Sequence, residues 1–176
     1  MKGQSTLFSS ASHEHATPQD YFDKLNAIYN FTLDPTATKE NAKCAKFYTK
    51  EDSCFKYQWN DERVFMNPPY GEPEFPCKNN CKKKRCVQRG WHTDEYIPGC
   101  IDFVSYAVDQ HLAYDILLVM LLPVRTDTGW FQDHIYPYWQ KNQCEILFHR
   151  GRLKFGNAKS SAPFPSMTVV YSKRYE

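Results

Sequence analysis

Apolar residues along the chain follow two rhythms. After Thr17-Pro18, Phe22, Leu25 and Tyr29 recur at helical spacing, so a helix is predicted with Thr17 as N-cap, Pro18 at its first position and Asp20 in its first turn. Short apolar runs over 31–34, 46–49 and 64–66 are predicted strands, with a helix expected over 38–45. Asp102 is expected to cap a helix reaching about 111, with Phe103, Ala107 and Val108 facing inward. Residues 116–122 are wholly apolar, as a central parallel strand covered on both faces should be. A short aromatic helix is expected over 130–139, and strands over 144–148 and 167–171 read as antiparallel partners at one edge. Strands alternate with helices through most of this order. The expected fold is a three-layer α/β domain with a mostly parallel sheet.

Two stretches depart from the pattern. Residues 1–16 are small and polar and read as an arm, in which His13 and His15 are better explained as solvated than as metal ligands. Residues 73–100 have no apolar period and read as an insertion. The rest, 17–176, is expected to form a single domain.

Composition narrows the class. An apolar fraction of 41% with 16% aromatic residues is enough for a packed core and argues against disorder. A formal charge of +2 does not by itself mark a nucleic-acid binder, so any phosphate-binding surface has to come from local clusters. No apolar stretch approaches the roughly 18 residues of a membrane span. Seven cysteines, an odd number, with no export signal, favour thiols or metal ligands in a reducing cytoplasm over disulfides.

The sharpest chemical signal is Asn67-Pro68-Pro69-Tyr70, followed by Gly71. It comes directly after the run 63–66, where a strand should end. Ligands of open α/β sheets bind at such strand ends. The Asn67 carboxamide oxygen and the Pro68 carbonyl can both accept hydrogen bonds from one NH2 group, and proline adds no competing donor. Tyr70 offers an aromatic face to an extruded base. Two fixed acceptors aim a conjugated amine's lone pair at an electrophile, so catalysis would be mostly positioning. A proline-rich turn without chemistry is the bland alternative.

Several further pieces occur in order: Thr17-Pro18, Phe31-Thr32-Leu33-Asp34-Pro35, Asn41-Ala42-Lys43-Cys44, Leu121-Leu122-Pro123 with Arg125-Thr126-Asp127-Thr128, Gly151-Arg152-Leu153-Lys154-Phe155 and Ala162-Pro163-Phe164-Pro165-Ser166. Together with the Asn-Pro-Pro-Tyr turn, they resemble the phage DNA N6-adenine methyltransferase (Dam) family over roughly residues 17–172. The resemblance implies a Rossmann-like, S-adenosylmethionine-dependent enzyme that methylates adenine N6 in DNA in the cytoplasm of a bacterial host. Methylation of RNA or of protein glutamine nitrogen is an alternative, as is a nucleic-acid-binding protein that has lost catalysis. The glycine-rich turn common after the first strand of methyltransferases is absent, and Asp34-Pro35-Thr36-Ala37-Thr38 stands there instead.

The resemblance distributes roles. Thr17, Pro18, Asp34, Pro35, Thr36, Asp52 and Asn67 become cofactor-site candidates, with Asp34 facing an ammonium group and Asp52 an adenine amine. Capping or solvation explains Asp34 and Asp52 without a cofactor. Arg125 follows the central run, and Arg150, Arg152 and Lys154, beside His149, form a basic segment. These residues and Lys82, Lys83, Lys84 and Arg85 of the insertion are the DNA-contact candidates. Cys77, Cys81, Cys86 and His92 are separated by three, four and five residues. A tetrahedral zinc site, free thiols in a mobile loop and a disulfide all remain open on that spacing.

Overall fold

The computed structural model describes residues 16–156, 158 and 160–172. The arm, with His13 and His15, lies outside the described residues apart from Ala16. Helix α1 spans Gln19–Tyr29. Strands β1 (Leu33–Asp34), β2 (Lys46–Phe47) and β3 (Arg63–Met66) follow, with a single 3-10 turn at Cys54–Lys56. Helix α2 is Lys84–Arg89, and α3 is Cys100–Tyr114. Strand β4 (Leu117–Pro123) precedes α4 (Gly129–His134) and α5 (Tyr136–Gln140). Strands β5 (Glu145–Phe148) and β6 (Ser166–Tyr171) complete the order.

The six strands form one sheet in the order β2-β1-β3-β4-β6-β5. The first four are parallel, β6 runs antiparallel to β4, and β5 pairs with β6 at the edge. Placing the N-terminal strand inside the sheet makes β1 and β3 neighbours. Their carboxyl ends then open on the same rim.

Cross-strand partners share a face, so the register assigns the layers. Phe65, Val119 and Val170 lie in one row. Helix α1 covers that face, with the Phe22 ring centroid 5.2 Å from Phe65 and the Tyr21 hydroxyl 2.5 Å from Thr168 Oγ1. Val64, Leu118 and Tyr171 form the opposite row. There His111 of α3 packs 5.1 Å from Tyr171, and the Tyr171 hydroxyl donates to the His134 carbonyl of α4. The sheet is thus sandwiched between α1 and the group α3, α4 and α5. All seven residues of β4 and all six of β6 are buried, as strands with two covered faces require.

Local expectations shift where side chains compete with the predicted element. Thr17 does not cap α1; Pro18 occupies that position with no side-chain bond. Residues 38–45 are turns and bends rather than a helix. Asn41 Oδ1 accepts the Thr38 amide at 2.7 Å, closing a turn that displaces helix geometry. Asp102 is not an N-cap: α3 starts two residues earlier, behind Gly99, and Asp102 Oδ2 accepts the Gly99 amide at 2.7 Å. The expected helix over 130–139 is two short helices broken at Ile135. Pro137 explains the break, because it has no N–H to continue the first helix and its ring collides with the preceding turn.

Candidate active site

The rim is assembled from three places in the chain. The Asn67 turn leaves the end of β3, where Val64, Phe65 and Met66 have no exposed surface. Residues 16–18 lead into α1, and the loop 149–165 returns from β5 to β6. The Gly156 amide bonds the Ala16 carbonyl at 2.6 Å, joining the last two.

Asn67 is held from both sides. Its Nδ2 donates to Thr17 Oγ1 at 3.0 Å, and its Oδ1 accepts the Tyr70 hydroxyl at 2.6 Å. Tyr70 also reaches the Leu121 carbonyl of β4 at 3.2 Å. The carboxamide therefore has a fixed orientation before any ligand arrives. Tyr70 is only 8% exposed, with Phe155 and Phe164 packed edge-on at 6.3 and 5.5 Å. Burial raises its pKa well above that of an ordinary tyrosine, so the hydroxyl stays a donor. The face expected to meet a base is covered in this conformation. The segment carrying Phe155 and Phe164 has to shift before a base can stack there. Pro68 is buried and Pro69 exposed.

Asp34 ends β1 and is 5% exposed. Its Oδ2 accepts the Lys43 amide at 3.1 Å and its Oδ1 the Thr36 amide at 3.4 Å. Burial pushes its pKa up to about 6, against the opposing pull of the Lys43 and Thr36 amides and of the Lys43 charge. Lys43 extends its ammonium to Gln19 Oε1 at 2.7 Å. The Lys43 and Thr36 amides and the Lys43 charge thus only partly offset the cost of burying an ionised Asp34. Beside it, Thr36 Oγ1 is buried with no hydrogen-bond partner among the described residues. A costly buried carboxylate and an unsatisfied hydroxyl at one strand end suit a ligand carrying a cation and polar groups. S-adenosylmethionine is such a ligand.

The other candidates are spread around this centre. Pro35 is buried in the turn after Asp34. Asp52 is exposed and accepts the Tyr57 hydroxyl at 2.6 Å, and Tyr57 stacks on Tyr48 at 4.5 Å. Arg125, Arg150, Arg152 and Lys154 are exposed, as are Lys82, Lys83 and Lys84; Arg85 lies in α2. His149 leaves the basic segment it adjoins. Its Nε2 lies 2.8 Å from Thr168 Oγ1, and burial lowers its pKa. Cys77, Cys81, Cys86 and His92 come together, with all four ligand atoms within 4.8 Å of one another, and could hold a metal ion. The His92 hydrogen bond, with smaller help from the Thr93 amide and the other thiols, brings the Cys77 thiol down to about 6.

Phe155, Phe164 and the Tyr48–Tyr57 pair are rim residues for which the sequence suggested no role. Aromatic residues inside otherwise polar, proline-marked loops were the available signal. Their partners are too distant in the chain for spacing to find.

A mostly parallel six-stranded sheet covered on both faces, with the Asn67 turn at the end of β3, has the Rossmann-like α/β architecture of S-adenosylmethionine-dependent methyltransferases. Comparison with known proteins makes the assignment specific: the DNA N-6-adenine-methyltransferase (Dam) family profile matches residues 4–170, and the chain belongs to that family. It is 28% identical over 167 residues to a DNA N-6-adenine-methyltransferase of Haemophilus phage HP1, covering 90% of this chain and 78% of that protein. It is 27% identical over 135 residues to the DNA N-6-adenine-methyltransferase of Escherichia phage T1, covering 76% of this chain but only 43% of that protein. A putative methyltransferase, YfdM, of Escherichia coli K12 is 36% identical over 61 residues, which cover 31% of this chain and 67% of YfdM. Among the described residues no helix is long and apolar enough to cross a membrane.

Proposed function

We propose that this protein transfers the methyl group of S-adenosylmethionine to the exocyclic N6 of adenine in DNA, in the cytoplasm of a bacterial host. The observation that carries this reading is the fixing of the Asn67 carboxamide between Thr17 and Tyr70 at the end of β3. Family membership and the phage relatives support the choice of adenine in DNA over other planar amines.

S-adenosylmethionine, when bound, supplies an electrophilic methyl group on a sulfonium sulfur. Asp34 would meet its ammonium group, and Thr36 would offer its hydroxyl. Asn67 Oδ1 and the Pro68 carbonyl would accept the two amine hydrogens of adenine. A carbonyl oxygen can accept two hydrogen bonds, so the amine and the Tyr70 hydroxyl can share Asn67 Oδ1. Held this way, the amine would aim its lone pair at the methyl group, whose bond to sulfur would break as the N–C bond forms, with S-adenosylhomocysteine as the leaving group. The nitrogen becomes cationic and acidic as its new bond forms, so its proton leaves without a dedicated base. Preorganised acceptors in a dry site do the catalytic work. The base must leave the helix to reach Asn67, or arrive single-stranded.

The test is transfer of isotopically labelled methyl to DNA, RNA and protein side by side, followed by nucleoside analysis. N6-methyladenine formed in DNA alone is the expected product. Label in RNA or in glutamine would redirect the substrate assignment. No transfer by a protein that fails to bind S-adenosylmethionine would end the enzymatic reading.

A further inference from the structure

The lobe between Tyr70 and α3, residues 72–99, has a defined backbone path but no apolar interior among its described residues. Phe75 and Val87 are 63% and 69% exposed, and among the described residues Cys86 is its one buried hydrophobic side chain, outside the core cluster of the sheet. Its helix α2 has six residues, too few to persist through local hydrogen bonds alone. Its root is well braced. Glu74 and Ile97 exchange two backbone hydrogen bonds of 2.9 Å, and the Cys77 amide reaches the Thr93 carbonyl at 2.8 Å. Arg89 pairs with Glu74 at 2.9 Å and lies over the Trp91 ring. Gly99 packs so closely on the chain that an added Cβ would fall 2.3 Å from Pro73 N. At the tip, three thiols and one imidazole come together.

The group has metal-site dimensions. Cys77 Sγ lies 3.6 Å and Cys81 Sγ 3.9 Å from Cys86 Sγ. Four ligands around a tetrahedral zinc ion, with Zn–S near 2.3 Å, put sulfur atoms about 3.8 Å apart. The Cys81 amide bonds the Lys78 carbonyl and the Cys86 amide the Lys83 carbonyl, at 3.1 and 2.9 Å, so a tight turn leads into each of these two thiols. His92 is exposed and can close the small remaining gap by side-chain rotation. Thiolate and imidazole donors select zinc over magnesium or calcium. Four protein ligands leave no open position, which makes the site structural rather than catalytic.

We propose that Cys77, Cys81, Cys86 and His92 bind one structural zinc ion that holds residues 72–99 as a rigid arm beside the Asn67 turn. Lys82, Lys83 and Lys84 lie between two of the ligands and are exposed. On the DNA reading proposed above, on which this step alone rests, the ion presents that lysine run to phosphate.

The test uses untagged full-length protein and zinc(II) titrated against a chromophoric chelator. The expected result is saturable binding of about one ion per chain, lost in a Cys81→Ser/Cys86→Ser double variant and kept in His92→Cys, which restores a four-ligand set. Cobalt(II) should give the intense absorption of a tetrahedral thiolate site in the wild type and in His92→Cys. Absence of one-to-one binding, or undiminished binding by the double variant, overturns the proposal. Circular dichroism of each variant keeps loss of the ligand separate from loss of the sheet. For the DNA step, zinc removal should lower DNA affinity and flatten its salt dependence by a log–log slope of up to about 3, one unit per lysine released. Unchanged affinity and slope would remove the phosphate role and leave the metal site standing. A zinc-loaded protein that methylates no DNA refutes the methyltransferase reading alone. A protein that takes up no zinc in the titration yet methylates DNA refutes the metal site alone.

Discussion

The Asn67 turn and the lobe that follows it are separated by a single glycine, yet different forces hold them. The turn is anchored to strands whose side chains are fully enclosed: Val64, Phe65 and Met66 on β3, and Leu118, Val119 and Met120 beside them on β4. Aliphatic burial of this kind is spread over the whole sheet and stabilises the turn whether or not a ligand is present. The lobe relies on a few backbone hydrogen bonds, one ion pair and a cluster of metal-type donors. The geometry of the Asn67 turn is therefore part of the global fold. On the proposed zinc site, the lysine-rich arm beside it orders or loosens without unfolding the sheet. On the proposed function, an enzyme that grips one base firmly and a long DNA backbone loosely gains from that division.

The comparison breaks most directly through stability. Leu118→Ala removes a side chain with no exposed surface, between Val64 and Tyr171, and should cost about 2–5 kcal/mol in urea unfolding. Val87→Ala on the exposed face of α2 should stay within about 0.5 kcal/mol. Equal costs would mean that the lobe shares the core of the sheet, and the division would fail.

Next in size is Asn67→Ala. Loss of one preorganised polar contact should slow methyl transfer to DNA by about 10²–10³-fold, by analogy with oxyanion-hole donors. Cofactor affinity by calorimetry should stay within a few-fold, because Asn67 is assigned to the amine. A variant that binds cofactor poorly and transfers at a normal rate once saturated would move Asn67 to the cofactor side of the rim.

What could be read from the sequence follows the same division. Apolar runs located β3, β4 and β6, because burial on two faces leaves a contiguous signature in the chain. The Asn67 turn was legible because it abuts such a run. Elements decided by a single residue were not legible in the apolar pattern. Asn41 turned an expected helix into a turn, and Pro137 split another. The covering of Tyr70 was not legible in the chain because Phe155 and Phe164 are far from it in sequence. Cysteine spacing left three readings of the cluster open, since spacing carries no information on how α2 folds Cys86 back toward Cys77.

Asp34 allows a pH test of the cofactor side. Its pKa is about 6 in the folded protein against an ordinary value of 3.8, so the native state holds the proton more tightly than the unfolded state. Stability from this group is present below pH 3.8 and is lost as pH rises through 6. Asp34→Asn should therefore gain stability relative to wild type between pH 4 and 8 in cofactor-free protein. The upper limit is about 3 kcal/mol, reduced because one backbone amide would face the new NH2. The same variant should bind S-adenosylmethionine more weakly. A stability difference that does not change with pH would place the carboxylate in water and remove the argument for a cationic ligand there.

The smallest effect concerns Tyr70, and it separates two uses of one ring. If the hydroxyl matters by fixing Asn67, Tyr70→Phe loses a 2.6 Å bond to Asn67 Oδ1 and a 3.2 Å bond to the Leu121 carbonyl. A hydrogen bond contributes about 0.5–1.5 kcal/mol net, so transfer should slow by roughly 2- to 13-fold with the aromatic face retained. If only the face matters, as stacking on an extruded base requires, Tyr70→Phe should be silent. Tyr70→Trp sharpens the choice. The site is 8% exposed and bounded by Phe155 and Phe164, so a larger ring overpacks it and should cost about 1–3 kcal/mol of stability. Single-turnover rates on DNA, set beside urea unfolding of both variants, distinguish the cases. A Phe variant slowed at unchanged stability assigns the hydroxyl a positioning role. A Trp variant that folds and transfers normally would show that the ring leaves its pocket during the reaction, and that the closed rim described above is its resting form.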